Sequence, residues 1–172
     1  MRSYAAAALL ALAACAPAPQ SEASQTMALA GQYRAASDSA RHTTGNLSIE
    51  RGGLLFDKGI VLYTRTLDPA RGLDRIARDG DSYAAIVVGP AELNVELRRV
   101  TEQTLQAGAK SLCGDDTPAY VALVSEERAT TVTLLVFAGD QPPGPTATRS
   151  RLCASFAYAA PDGARTREGV VL

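Results

Sequence analysis

The side chains able to do chemistry are few and scattered. The 172-residue chain has one histidine, three cysteines and no tryptophan. His42 lies in Ser39-Ala40-Arg41-His42-Thr43-Thr44, with Ser37 and Asp38 just before it. A serine nucleophile needs an imidazole to take its proton and a carboxylate to orient that imidazole. Any such triad in this chain must use His42, yet no G-x-S-x-G elbow is present. The sequence therefore predicts a solvated loop histidine between strands. A single histidine also excludes a His-rich metal centre. Asp79-Gly80-Asp81, with Asp74 upstream, lacks the D-x-D-x-D-G…E ligand set of a calcium loop. Asp115 and Asp116 read as a turn with Asx-type contacts. Arg98 and Arg99 fall on opposite sides of a strand, which makes a poor phosphate site and reads as a solvated face. No catalytic residue, metal ligand or cofactor is expected, and the chain is not expected to be an enzyme.

The N-terminus carries a stronger signal. Met1-Arg2-Ser3-Tyr4 supplies one positive side chain, and residues 5–14, AAAALLALAA, form a charge-free apolar run. A membrane-spanning helix needs roughly 20 residues, so the run is too short to span. Charged start, apolar middle and small residues at the end make a secretory signal peptide over residues 1–14. Leu12-Ala13-Ala14-Cys15 resembles the bacterial lipobox. The resemblance implies cleavage before Cys15, which would then carry a diacylglycerol and, on its amine, a further acyl chain. Two or three chains hold firmly, since each buried CH₂ contributes roughly 0.8 kcal/mol. Ala16, rather than Asp, follows the cysteine, which favours the outer membrane under the enterobacterial sorting rule. Residues 16–25, APAPQSEASQ, have no apolar period to bury, so 15–26 read as lipidated Cys and flexible tether. One β-rich domain is expected over 27–172.

The whole chain is 47% apolar and 20% charged, with a net charge of −1. That supplies a core and implies no basic surface for nucleic acid. The composition is rich in Ala and Arg and poor in Lys, as in bacteria of high GC content. Apolar residues recur mostly with period two, the mark of half-buried strands. Leu47 and Ile49 point one way, and Asn46, Ser48 and Glu50 the other. Arg51-Gly52-Gly53 and Asp57-Lys58-Gly59 are turns that set up a meander with Leu54–Phe56 and Ile60–Thr64. Further strands are expected at 31–36, 83–88, 94–100, 119–124, 131–137 and 152–158, about nine in all. Residues 68–78 read as a short helix or an irregular loop, stopped by Gly80. The fold class is all-β: a small antiparallel barrel or strongly curved sheet, with a β-sandwich as the alternative. Gly31-Gln32-Tyr33 is similar to the G-x-W that opens lipocalin-like barrels and bacterial protease-inhibitor barrels, with Tyr in place of Trp.

With Cys15 lipidated, Cys113 and Cys153 remain as an even pair in an exported chain and are expected to be oxidised to a disulfide. There is no CxxC to suggest redox work. Leu112-Cys113-Gly114, then Phe137-Ala138-Gly139, then Leu152-Cys153-Ala154-Ser155-Phe156-Ala157-Tyr158 resembles the C-terminal half of a group of uncharacterised proteobacterial envelope lipoproteins. The resemblance covers residues 112–158 and implies family membership and the disulfide, with no activity attached. Between two strands lies the Pro-rich stretch from Gly139 to Ser150. It is longer than the two to five residues usual for a hairpin. Stiff loops lose little entropy on binding, so Gln141, Pro142, Pro143, Pro145 and Arg149 are the candidate partner-contact residues.

These readings point to an outer-membrane-anchored periplasmic lipoprotein that acts as a binding or inhibitor-like module for another envelope protein. A carrier of a small apolar ligand inside the barrel, and a structural lipoprotein without a ligand, are the alternatives. The expected partners are the membrane, through the acyl chains, and an envelope protein.

Overall fold

Alternating burial builds the first meander of the computed structural model, which describes residues 29–161. In β2 (Leu47–Glu50) Leu47 and Ile49 are buried and Glu50 is exposed. They face Phe56 and Leu54 of β3 (Gly53–Phe56), which in turn face Ile60 and Leu62 of β4 (Ile60–Thr66). The β3–β4 turn closes through Gly59 at φ +78°, where a Cβ would stand 2.8 Å from the Gln106 side chain. Glycine is the residue that fits there.

The remaining strands continue the antiparallel order. β1 (Gly31–Ala35) pairs with β2 and with β9 (Arg151–Ala159), which pairs with β8 (Thr131–Ala138), then β7 (Tyr120–Ser125) and β6 (Asn94–Leu105). The 12-residue β6 is long enough to serve two partners on its other edge. Its Arg98–Leu105 part pairs with β4, and Asn94 and Val95 pair with the two-residue β5 (Ala70–Arg71). The β4–β6 pairing closes eight strands into an antiparallel barrel of lipocalin-like form, with β5 as a small addition. Closure removes the free edges that a sandwich would leave, and the β-sandwich alternative is set aside.

Two apolar clusters flank the barrel wall. Inside, Tyr33, Leu47, Ile49, Leu54, Phe56, Leu62, Leu123, Leu134, Phe156 and Tyr158 are buried together. Each such side chain contributes about 1.5–3 kcal/mol on full burial, so this interior dominates stability. Outside, Tyr83, Ala84 and Leu93 cover Val95, Leu97, Tyr120, Ala122, Val124, Leu135 and Phe137. Residues 67–93 thus form an outer layer over β6, β7 and β8. That layer explains why Tyr120-Val121-Ala122-Leu123-Val124 is apolar at every position: β7 is covered on both faces.

Two short helices break the strand pattern. Ser37 caps α1 (Asp38–Thr43), its hydroxyl accepting from the Ala40 N–H at 3.2 Å. α1 packs on β9 and lays the fully buried Ala40 against the barrel core. The stretch 83–88, expected as a strand, is instead α2 (Tyr83–Val87). The β-branched run Ile86-Val87-Val88 favours a strand, but the Ser82 cap and the Gly89-Pro90 stop favour a helix. Burial of Tyr83 and Ala84 against the outer wall settles the balance. Residues 68–82, apart from β5, are turns and an isolated bridge between Arg75 and Ser82, so the irregular-loop reading holds and the helix does not. The signal peptide, Cys15, the tether and the last residues of the expected domain lie outside the described residues.

Candidate functional site

The Pro-rich connection between β8 and β9 begins at Gly139, whose φ of +109° and closeness to the Arg149 carbonyl admit no side chain. Gln141 then ties the loop's neck. Its side-chain oxygen accepts from the Thr148 N–H at 3.0 Å and the Arg149 N–H at 3.2 Å. Arg149 also pairs with Asp140 at 3.0 Å, but both are well exposed, so the pair contributes at most about 1 kcal/mol. Farther out, the Gly144 N–H donates to the Ile76 carbonyl at 3.0 Å, and the Arg78 N–H to the Ala147 carbonyl at 2.9 Å. Pro143 and Ala147 are buried, whereas Pro142 and Pro145 are exposed. The loop is therefore folded back on the outer layer. Of the five candidate contact residues, Pro142 and Pro145 present free surface, Gln141 is committed internally, Pro143 is covered, and Arg149 shares its charge with Asp140.

Cys113 and Cys153 form a disulfide, with Cα atoms 5.1 Å apart. The bridge ties the β6–β7 connection to β9, and Leu112 beside it is buried in the barrel core. Asp116 lies in the expected turn and forms an ion pair with Arg151, while Asp115 is exposed.

His42 lies on α1 rather than in a loop, and it is exposed. Its Nδ1 is 2.8 Å from the Asp38 carbonyl. A carbonyl only accepts, so Nδ1 carries the proton. The Ser37 and Ser39 hydroxyls bond each other at 3.0 Å, and the Asp38 carboxylate pairs with Arg41 at 2.8 Å. The Arg41 guanidinium holds the Asp38 carboxyl below its ordinary range. Serine, histidine and aspartate are thus neighbours without the relay that a triad needs. Among the described residues, no three His, Cys, Asp or Glu side chains gather as a metal site.

Arg98 overturns the solvated-face reading. Arg99 is exposed as expected, but Arg98 is completely buried. Its Nε donates to Glu96 Oε1 at 2.7 Å, one terminal nitrogen to the Glu50 carbonyl at 2.6 Å, and the other to the Leu29 carbonyl at 3.1 Å. Glu96 Oε2 accepts from the Leu29 N–H at 2.6 Å. The inward position follows from period two: Glu96, Arg98 and Val100 share a face, and Val95 and Leu97 take the other. The buried arginine is tolerated because Glu96 pairs its charge and the Glu50 and Leu29 carbonyls accept from its terminal nitrogens.

Comparison with protein-family models, with curated proteins and with solved structures finds no match to this chain.

Proposed function

We propose that the chain is an envelope lipoprotein, held by acyl chains on Cys15 in the periplasmic leaflet of the outer membrane. Its barrel acts by surface contact on another envelope protein, as a binding or inhibitor-like module without turnover. One observation carries this reading: the outer surface is built and stiffened, while the interior is occupied. Gln141 and the backbone bonds to residues 76–78 hold the β8–β9 loop in one shape, which lowers the entropy lost on contact. Tyr33, Phe56, Phe156 and Tyr158 fill the interior with aromatic rings, which speaks against a carrier of a small apolar ligand. The anchor rests on the lipobox and the charge-free run before it.

The test places a photo-crosslinking residue at Pro142 or Pro145 in living cells, with Glu127 in the β7–β8 turn as the control. The expected result is a discrete adduct from the two loop positions and none from the control. Equal adducts from all three positions, or none, would sink the contact assignment. Changing Cys15→Ser is expected to abolish fatty-acid labelling and release the chain from membranes; labelling that persists in that variant removes the anchor.

A further inference from the structure

Lysine is scarce in this chain: Lys58 and Lys110 are its only two, against fifteen arginines. Both line one surface groove, and the sole histidine, His42, lines it with them. The groove has a volume of about 520 Å³ and is completed by Thr43, Ala107, Gly108 and Ala109. Three separate parts of the chain converge there: the end of α1, the β3–β4 turn and the β6–β7 connection. They lie at the end of the barrel opposite the Glu96–Arg98 plug, since β4 and β6 each run from one end to the other.

We propose that this groove is a binding site for a phosphate-bearing anion. Among the described residues, no carboxylate lines it. The acids nearest in sequence are engaged elsewhere, Asp38 with Arg41 at 2.8 Å and Asp57 with the Asn46 amide at 2.8 Å. Lys58 is held in place, its ammonium donating to the His42 carbonyl at 2.6 Å and keeping two further N–H groups. Lys110 is exposed and takes no ion pair among the described residues. His42 Nδ1–H is spent on the Asp38 carbonyl, so the neutral ring adds no further donor and the lysines carry the attraction. The N–H groups of Ala107 and Gly108 make no bond within the described residues, and Gly108 holds φ +88°. Two ammonium groups, a hydroxyl and unpaired peptide N–H groups suit an oxyanion with several acceptor oxygens. The volume is in the range of small-ligand sites. The site is independent of the loop contact argued above.

The experiment titrates the isotopically labelled full-length chain in non-ionic detergent with inorganic pyrophosphate, reading amide shifts at constant ionic strength. Saturable shifts at Lys58, Gly108 and Ala109 are expected. Lys110→Gln and Lys58→Gln should each weaken binding by about tenfold, and Arg51→Gln, at the opposite end, should leave it unchanged. A parallel arm uses vesicles containing phosphatidylglycerol. Saturation by pyrophosphate alone identifies a soluble phosphate, and saturation by vesicles through the same lysines identifies a headgroup; either supports the site. Shifts that do not saturate by about 10 mM pyrophosphate and are not produced by vesicles would overturn it. So would an equal loss in Arg51→Gln. Lys110 stands on an exposed connection, so its variant tests the site even if Lys58→Gln disturbs the turn.

Discussion

Glu96 and Arg98 stand two residues apart on the inner face of β6, and together they bind both polar groups of the Leu29 backbone. They are the only charged residues buried among those described. Taken as an apolar replacement, such a pair adds little net stability, because desolvation of two ions offsets their attraction. Its effect is one of position. The chain entering β1 is fixed across the barrel's end by groups that would be left uncompensated if it moved.

Breaking one side of this pair should be severe. Glu96→Ala leaves a buried guanidinium without its counter-ion and should cost about 3–5 kcal/mol. The double change Glu96→Leu with Arg98→Met should recover most of that loss. Urea unfolding of the three proteins checks it; a single variant as stable as the parent contradicts the buried pair.

Two buried tyrosines make alkaline stability a second check. Burial pushes the Tyr83 hydroxyl well above its ordinary value of 10.0, with Asp74 adding to the effect. Burial does the same to Tyr158, opposed in part by its hydrogen bond with Thr44. Above about pH 10 the unfolded chain gives up protons that the folded chain keeps, so stability must fall as pH rises. The slope should reach about 1.4 kcal/mol per pH unit for each tyrosine. Tyr158→Phe and Tyr83→Phe should each flatten it, as read by urea midpoints from pH 9 upward.

The disulfide closes a loop with a sequence separation of 40. The chain-entropy model gives roughly 4 kcal/mol for such a loop. Changing both Cys113 and Cys153 to Ala should therefore lower the urea stability by about 2–4 kcal/mol. Thiol titration of the acylated protein under denaturing conditions should find no reactive group; two reactive groups would mean that the bridge does not form.

Gly139→Ala should be among the most damaging changes to a surface residue, since the added carbon would lie 1.9 Å from the Arg149 carbonyl. Strain of this kind is worth about 1–3 kcal/mol. Hydrogen exchange should speed at Thr148 and Arg149, whose N–H groups Gln141 holds. Gln141→Ala should speed the same two amides with a smaller loss of stability.

Eight strands were legible from short apolar runs between turns, most of them alternating as Leu47 to Glu50 does and β7 apolar throughout. α1 was not legible, because Ala40 is its single buried residue and leaves no helical period to read. α2 was misleading for the opposite reason: Ile86-Val87-Val88 reads as a strand until its cap and its Gly-Pro stop are weighed. Val88 takes the left-handed conformation at φ 53°, a place usually left to glycine. The unbroken apolar run of β7 was a sign of an outer layer. In the candidate sites, the disulfide could be read from cysteine count, and the loop from its length. The inward face of Arg98 and its neighbour Glu96 lie in the period of β6, but its burial could not be read, because its other partners Thr64, Glu50 and Leu29 lie 34, 48 and 69 residues away. The groove was likewise hidden, since His42, Lys58 and Lys110 are brought together only by the barrel.

The pairing of Arg34 with Ala159 and Ala35 with Tyr158 joins the first strand of the barrel to its last. A ring sealed in that way cannot be completed by any N-terminal fragment. The hairpins β2–β3–β4 and β6–β7–β8 can form as they emerge, but the wall stays open until β9 is available to zip between β1 and β8. Contacts between such distant parts of the sequence carry a large loop-closure entropy and form slowly. A chain threaded across a membrane from its N-terminus would thus remain unsealed, and compliant enough to pass, until nearly all of it had crossed.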